Sequence, residues 1–135
     1  DPSPLYEDAG FKFEYHYRPT GETLRRIYAS CGTYLCASWY EGLGMPSMEA
    51  MACGAALVTT DTGGSWDYAV DGKTALVSPP KQPEQLADNL ARVLNDEALR
   101  NKLAENGCQK IREFSWEANS LRLEKLFKES LAEAE

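Results

Sequence analysis

The chain has 135 residues, of which 43% are hydrophobic and 26% are charged, so its length fits one domain and excludes two full domains with separate cores. Its 14 basic and 21 acidic residues give a net charge of −7. No basic patch of the kind that nucleic-acid-binding proteins use is visible, so nucleic acid is not an expected partner. No apolar run approaches the roughly 18 residues of a membrane-spanning helix. The first residues, DPSP, resemble neither a native start nor a signal peptide, so we expect a piece of a longer protein.

The cysteines favour free thiols over a metal site. No two of the four, Cys31, Cys36, Cys53 and Cys108, form a CxxC pair, and the only histidine, His16, lies outside any metal-ligand spacing. Three of the four stand among apolar residues, which predicts buried thiols in a reducing cytosol. We therefore expect a cytoplasmic protein without a metal.

The first elements alternate between strand and helix. Aromatic and polar residues alternate over 11–17, which predicts a strand with one buried face. Apolar residues at helical spacing then predict a helix that begins after Thr20 and ends at Gly32. The apolar run that follows at 33–37 lacks alternation, as expected for a short strand covered on both faces.

The middle of the chain repeats this pattern around glycine-rich turns. After a loop at 41–44, Pro46 starts and Gly54 ends a predicted helix over 47–53, and a strand is predicted at 55–60. The elements predicted after it are a turn at 61–64, a short helix at 65–70, a last strand at 74–77 and three amphipathic helical stripes within 86–94, 99–111 and 123–131, with Ser115 as the N-cap of the last.

Strands that alternate with helices predict an α/β fold of three layers, in which helices cover both faces of a parallel sheet. Ligands of such sheets bind beyond the carboxyl ends of the strands. The glycine turns at 41–44 and 62–64 each follow a predicted strand. Because both turns should lie on the same edge of the sheet, they outline a candidate site.

Two glutamates eight residues apart carry the candidate chemistry. Glu41 lies in the loop and Glu49 about one turn into the helix, while Gly42 and Gly44 let the backbone approach a ligand closely. The free N–H groups and dipole of the helix start suit a diphosphate, and a carboxylate one turn along can accept hydrogen bonds from a ribose. The residues alone leave a second interpretation open, in which Glu49 only complements the helix dipole and the glycines only serve the turn.

The wider run resembles the signature of the group-1, retaining glycosyltransferases of GT-B architecture, which reads E-G-[FL]-G-[LM]-P-x-x-E-A-M-A-C-G. EGLGMP at 41–46 and EAMACG at 49–54 match nearly every position. Three further stretches are similar to the family's sequence. Residues 56–64 resemble its strand and the turn with the glycine pair, and residues 70–77 resemble its V-x-D-G segment. Residues 114–117 resemble its F-S-W-E helix start.

The resemblance implies that residues 1–135 are the C-terminal, donor-binding, Rossmann-like domain of this family, truncated at its N-terminus. The sheet would then be incomplete, with about four strands and a C-terminal helical segment. The family's strand order is commonly 3-2-1-4-5-6, and this chain would hold strands 3 to 6. The strand at 11–17 would therefore lack its native neighbour and pair with the strand at 33–37 or with another chain.

The resemblance also implies residue roles. Glu49 would bind the ribose hydroxyls of a nucleotide-sugar donor, and Glu41, the catalytic residue, would contact the donor sugar near its reacting carbon. The substrate-binding set is completed by Gly42, Leu43, Gly44, Met45, Gly63 and Gly64. No metal and no cofactor besides the donor are expected.

Two departures from the family pattern stand out. Where the family has x-P-E after its glycine pair, this chain has Ser65, Trp66 and Asp67, so Trp66 is either a core aromatic or a wall of the donor site. The family's opening βα units, whose basic residues grip the diphosphate, have no counterpart, and no lysine occurs between residues 13 and 72.

The resulting expectation is a glycosyltransferase fragment that serves the transfer of a sugar, with retention, to a glycan or lipid acceptor in polysaccharide or cell-envelope biosynthesis. It would be inactive alone, because an N-terminal acceptor domain is missing. We expect it to be cytoplasmic and to associate with the inner membrane face through the parent protein. Self-association of the fragment is a further expectation. One alternative is a non-catalytic α/β regulatory or interaction module. Another is a sugar-nucleotide epimerase of GT-B architecture, which the single histidine disfavours.

Overall fold

A computed structural model of the chain describes residues 10–133. These residues form three strands and five α-helices that alternate along most of the chain. The elements are α1 (Gly21–Ser30), β1 (Thr33–Cys36), α2 (Met45–Ala52), β2 (Ala56–Thr60), β3 (Ala75–Ser78), α3 (Pro83–Asn95), α4 (Glu97–Ile111) and α5 (Trp116–Ala132). Short 3-10 turns occur at Ser65–Asp67 and Arg112–Phe114.

The strands form one parallel sheet in the order β1-β2-β3. Thr33 is in register with Ala56, and Leu57 is in register with Ala75. All five residues of β2 are buried, because neighbours flank this central strand on both edges and helices cover both faces. The α/β fold with a parallel sheet is confirmed, as is the order of the last three predicted strands.

The strand predicted at 11–17 is wrong. Among the described residues the sheet has three strands rather than about four, and residues 11–17 belong to none of them and do not pair with β1. An aromatic alternation forms a strand only where its apolar face can be covered, and here the aromatic side chains are exposed, Phe11 by 72%. His16 is exposed as well.

The hydrophobic core lies on both faces of the sheet, which gives the three predicted layers. On one face Met51 of α2 packs with Leu57 and Tyr68. On the other face Val58 packs with residues of α3 and α4, among them Leu103 of α4. Neighbouring residues of β2 therefore serve opposite faces, as the alternation of side chains along a strand requires.

The C-terminal helices begin at side-chain caps. The Asp96 carboxylate accepts from the Leu99 N–H at 2.9 Å, and Ser115 Oγ accepts from the Ala118 N–H at 3.1 Å, which confirms the predicted N-cap. The stripe predicted at 123–131 is helical, but no residue of α5 is buried. Its apolar residues therefore lie outside the core of the described chain.

Four cysteines are free thiols, but only Cys36 is buried, while Cys31 is exposed and the other two are partly buried. The expectation of buried thiols therefore holds for Cys36 alone. Over residues 10–133 no helix combines the length and the apolar character needed to cross a membrane. In the same residues no three acidic, histidine or cysteine side chains come together as metal ligands would.

Truncating Leu103 tests the second core face. This side chain is fully buried, so Leu103→Ala removes its contacts and leaves a cavity, and we expect the free energy of unfolding to fall by about 2–5 kcal/mol. Leu94→Ala, a matched change at an exposed leucine, should alter it by no more than about 0.5 kcal/mol. Urea denaturation of both variants measures the difference, and equal losses would contradict this core.

Candidate functional site

The two glycine loops meet at the carboxyl edge of the sheet. Glu41, after β1, forms an isolated parallel bridge with Gly63, after β2. The Glu41 N–H donates to the carbonyl oxygen of Thr62 at 3.1 Å. The bridge continues the pairing of β1 and β2 beyond the regular strands and holds the loops together.

Gly64 allows the two loops to touch. A methyl group at this position would lie 2.5 Å from the carbonyl carbon of Gly42 and 2.8 Å from the carbonyl oxygen of Glu41, both backbone atoms. The contact therefore has room only for a residue without a side chain. Gly64, the second glycine of this turn, is thus explained by packing against the first loop.

Gly44 joins the first loop to helix α2. Its φ of +78° lies in the left-handed region that favours glycine, and it caps the helix without a side chain. A methyl group there would lie 2.5 Å from the hydroxyl oxygen of Tyr68 and 2.7 Å from Oε2 of Glu41. The Glu41 carboxylate is consequently held against the start of α2.

The start of α2 presents partial positive charge at this edge. The N–H groups of Ser47 and Met48 both donate to the Gly44 carbonyl, at 3.0 and 3.3 Å, and Pro46 contributes no N–H. The N–H of Met45 and the helix dipole remain to act on a ligand. An anion beside Gly44 and Met45 would be stabilised by both.

Glu49 lies on the exposed side of α2, between two cavities. One, of about 280 Å³, lies against α1 and includes Arg25 and Tyr28 in its wall. The other, of about 320 Å³, also contains Leu43 and Met45 in its wall and is mostly apolar. The Glu49 carboxylate can therefore accept hydrogen bonds from a polar ligand that occupies either space.

A half-buried phenol lies close to the site. Burial, above all, raises the pKa of Tyr34 to about 12, and the nearby Tyr28, Cys36, Glu41 and Glu49 add to the rise. The rings of Tyr34 and Tyr28 meet edge to face at a centroid distance of 5.7 Å. Tyr34 is therefore a neutral packing residue near neutral pH.

The structure places the predicted site residues in one region. The bridge and the Gly64 contact bring Glu41, Gly42, Gly63 and Gly64 together. Gly44 connects this group to α2, and the cavity beside α2 is lined by Leu43, Met45 and Glu49. The convergence is observed, whereas the ligand of each residue stays a prediction.

Sequence reasoning missed Tyr68 and left two interpretations of Trp66 open, one of which is wrong. Tyr68 is buried, and its hydroxyl donates to the Gly44 carbonyl at 3.4 Å from 24 residues away, a contact that no local pattern signals. The interpretation of Trp66 as a core aromatic is wrong, because its side chain is 69% exposed. The Trp66 indole N–H donates to the Asp61 carboxylate at 2.6 Å.

The contact of the two loops predicts unequal effects of two glycine substitutions. Gly64→Ala should lower the free energy of unfolding by about 1–3 kcal/mol, because the new methyl group meets backbone of the first loop. Gly42→Ala should cost less than about 1 kcal/mol, because a methyl group there meets no atom within 4 Å. Thermal and urea denaturation compare them, and a larger loss for Gly42→Ala would contradict the packing.

The raised pKa of Tyr34 predicts a loss of stability at alkaline pH. The folded chain holds this proton more tightly than the unfolded chain, whose phenol has a pKa near 10.0. The resulting stabilisation is complete below about pH 10 and is lost as the pH rises to about 12. Tyr34→Phe should weaken this decline in denaturation at stepped pH, and the exposed Tyr17→Phe should not; an unchanged decline in Tyr34→Phe would refute the assignment.

Comparison with known proteins gives the family. The family model described as Glycosyl transferases group 1 matches residues 12–110. An uncharacterized glycosyltransferase of Methanocaldococcus jannaschii is 32% identical over 112 residues, which are 83% of this chain and 32% of that protein.

Two solved structures share the fold. Sucrose-phosphate synthase from Thermosynechococcus elongatus superposes with a TM-score of 0.84 at 27% identity, over 96% of this chain and 33% of that one. The Anabaena protein HepE, solved in complex with UDP-glucose, gives a TM-score of 0.71 at 20% identity, over 98% and 35%. The chain thus spans about a third of the length of each of these proteins. It belongs to the group 1 family of glycosyl transferases.

Proposed function

We propose that the chain is the donor-binding part of a retaining glycosyltransferase, which moves a sugar from a nucleotide-diphosphate donor to an acceptor hydroxyl. The observation that carries the proposal is the convergence of the two glycine loops with the start of α2 and with Glu49. In the same fold, HepE was solved with UDP-glucose, which supports a nucleotide sugar as the ligand class.

The geometry suggests how the donor would lie. Glu49 follows Met45 by four residues, about 6 Å along the helix axis. A diphosphate at the N-terminus of α2 would thus leave the ribose within reach of the Glu49 carboxylate. The donor sugar would then extend over Gly42 toward Glu41, whose carboxylate lies against Gly44.

The proposed reaction exchanges one bond at the anomeric carbon. The bond from that carbon to the diphosphate oxygen breaks, the acceptor oxygen bonds to the same face of the sugar, and the acceptor's proton passes to the departing diphosphate. Glu41 would bind the sugar hydroxyls and stabilise positive charge that develops at the anomeric carbon. The proposal assigns no metal to this chain.

The charge of the chain bears on what the whole protein must add. Residues 27–72 contain no lysine or arginine, although both loops and α2 lie within them. A diphosphate carries at least two negative charges, so we propose that further basic groups and the larger part of the acceptor site come from an N-terminal domain of the parent protein. Alone, the chain would then bind donor weakly and not turn it over.

The role of the parent protein follows the same proposal. It would build a polysaccharide, glycolipid or other cell-envelope glycan from the cytoplasmic side, at the inner membrane face where the acceptor is a lipid. Self-association of this chain alone belongs to the proposal too, since the edge of β1 is left without a neighbouring strand among the described residues.

Calorimetric titration with UDP-glucose, GDP-mannose and dTDP-glucose tests donor binding. We expect weak binding of at least one, and a loss of at least tenfold in Glu49→Ala, because a charged acceptor of ribose hydrogen bonds contributes about 1.5–3 kcal/mol. Glu105→Ala, which removes an exposed carboxylate of α4, should leave the affinity unchanged.

The outcome of this titration separates the two functions under consideration. Binding that Glu49→Ala abolishes supports donor recognition. No binding of any of the three nucleotide sugars to a folded chain would contradict the proposal and favour a non-catalytic α/β module.

A further inference from the structure

We propose that Tyr40 and Trp66 form a stacking subsite for a neutral sugar ring of the acceptor, beside Glu41. The inference deepens the proposed function and rests on it, since an acceptor has meaning only next to a donor. It assigns a ligand class to two aromatic side chains that belong neither to the hydrophobic core nor to the proposed donor site.

Both rings are exposed although they stand at the most constrained part of the fold. The Tyr40 side chain is 83% exposed and that of Trp66 is 69% exposed. Each follows a strand at the carboxyl edge of the sheet, where ligands of parallel sheets bind. Exposed large aromatics that cluster at such an edge indicate a contact surface.

Hydrogen bonds and close packing connect the two rings through Gly63. One carboxylate oxygen of Asp61, Oδ1, accepts from the Gly63 N–H at 3.0 Å and from the Trp66 indole N–H at 2.6 Å. A methyl group at Gly63 would lie 3.7 Å from the Tyr40 ring. Gly63 also pairs with Glu41 through the backbone, so both rings adjoin the bridge between the two loops.

The fixed position of Trp66 favours ligand binding. Its indole N–H is already satisfied by Asp61, which orients the ring and leaves its faces to solvent. A ring held before the ligand arrives loses little conformational entropy on binding. Gly63, at φ +83°, has no side chain that would cover the neighbouring Tyr40 ring.

The chemistry around the rings selects a neutral saccharide. A pyranose has an apolar face of C–H groups and a rim of hydroxyls, which matches the Trp66 ring beside the Asp61 carboxylate and the exposed Tyr40 ring, which precedes the acidic Glu41 in the chain. Those carboxylates would repel an anionic ligand. They also argue against a protein partner, since charged residues are depleted at the centre of protein interfaces.

The subsite is separate from the space around Glu49. Neither of the two cavities that Glu49 lines includes Tyr40, Asp61 or Trp66. Asp61 is anchored toward β3, because its N–H donates to the Ser78 carbonyl at 2.7 Å. The chain could therefore bind a nucleotide at Glu49 and a sugar ring at Trp66 at the same time. Glu41 connects the two places, because it contacts Gly44 on one side and pairs with Gly63 on the other.

The test follows the three tryptophan indole signals of this chain in ¹⁵N-correlated NMR spectra while methyl α-D-glucopyranoside or methyl α-D-mannopyranoside is added. We expect the Trp66 indole and Gly63 amide signals to shift with at least one glycoside. Trp66→Ala and Tyr40→Ala should each weaken that binding at least fivefold. Trp66→Phe, which keeps a ring but loses the bond to Asp61, should retain part of the affinity.

Trp39→Ala is the matched control. Trp39 is also exposed, by 64%, but its ring lies under the Lys81 ammonium at 5.0 Å on the side of the edge next to α3. Its removal should leave glycoside binding unchanged. Equal losses in Trp39→Ala and Trp66→Ala would overturn the subsite.

Donor titrations of the same variants separate this inference from the proposed function. Trp66→Ala should keep its affinity for nucleotide sugar, and Glu49→Ala should keep its affinity for the glycoside. Donor binding with no glycoside response at Trp66 overturns the subsite and leaves the proposed function standing. If the unsubstituted chain binds none of the nucleotide sugars, the proposed function is overturned, and with it the acceptor role of the two rings.

Discussion

The backbone contact between Gly64 and the Gly42–Glu41 carbonyls is the constraint on which the rest of the site depends. Side chains would hold the loops after β1 and β2 apart, and the bridge between Glu41 and Gly63 could then not form. With the loops together, the Glu41 carboxylate lies against Gly44, so helix α2 begins beside it. A shift in one loop would therefore move Glu41 and the start of α2 as well.

This arrangement divides the carboxyl edge of the sheet into two environments. On the side of α2, the helix N-terminus would favour an anion, and Glu49, one helical turn further, has a carboxylate that can accept hydrogen bonds from hydroxyl groups. On the other side, Trp66 stands on Asp61 with its ring faces in solvent. Under the proposed function, Glu41 would lie between a donor on the first side and an acceptor on the second. The two glycine loops and α2 contain no basic residue, so a diphosphate there calls for charge from outside these segments.

Local pattern was enough to predict the alternation of strands and helices, the glycine turns and the Ser115 cap, because each depends on residues close in sequence. The order of β1, β2 and β3 was predicted from the family's strand order. The eight candidate site residues were predicted by family resemblance, and the structure brings them together. The strand at 11–17 was mispredicted because periodicity records a face to be buried but not whether another element covers it, and in the described residues these aromatic side chains are exposed. Tyr68 was missed, and the interpretation of Trp66 as a core aromatic was wrong, for a related reason. A hydroxyl that reaches Gly44 across 24 residues, and an indole held in solvent by a carboxylate, depend on tertiary geometry that spacing does not encode.

The central claim is that the two loops and α2 form one nucleotide-sugar site, and amide chemical-shift mapping with UDP tests it most directly. The account predicts that UDP shifts the backbone amides of residues 42–45 and 49, with smaller shifts at Gly63 and Gly64 through the bridge, and leaves helix α5 beyond its first turn unchanged. Shifts confined to residues outside the two loops and α2, or no shifts at millimolar UDP in a folded chain, would contradict it.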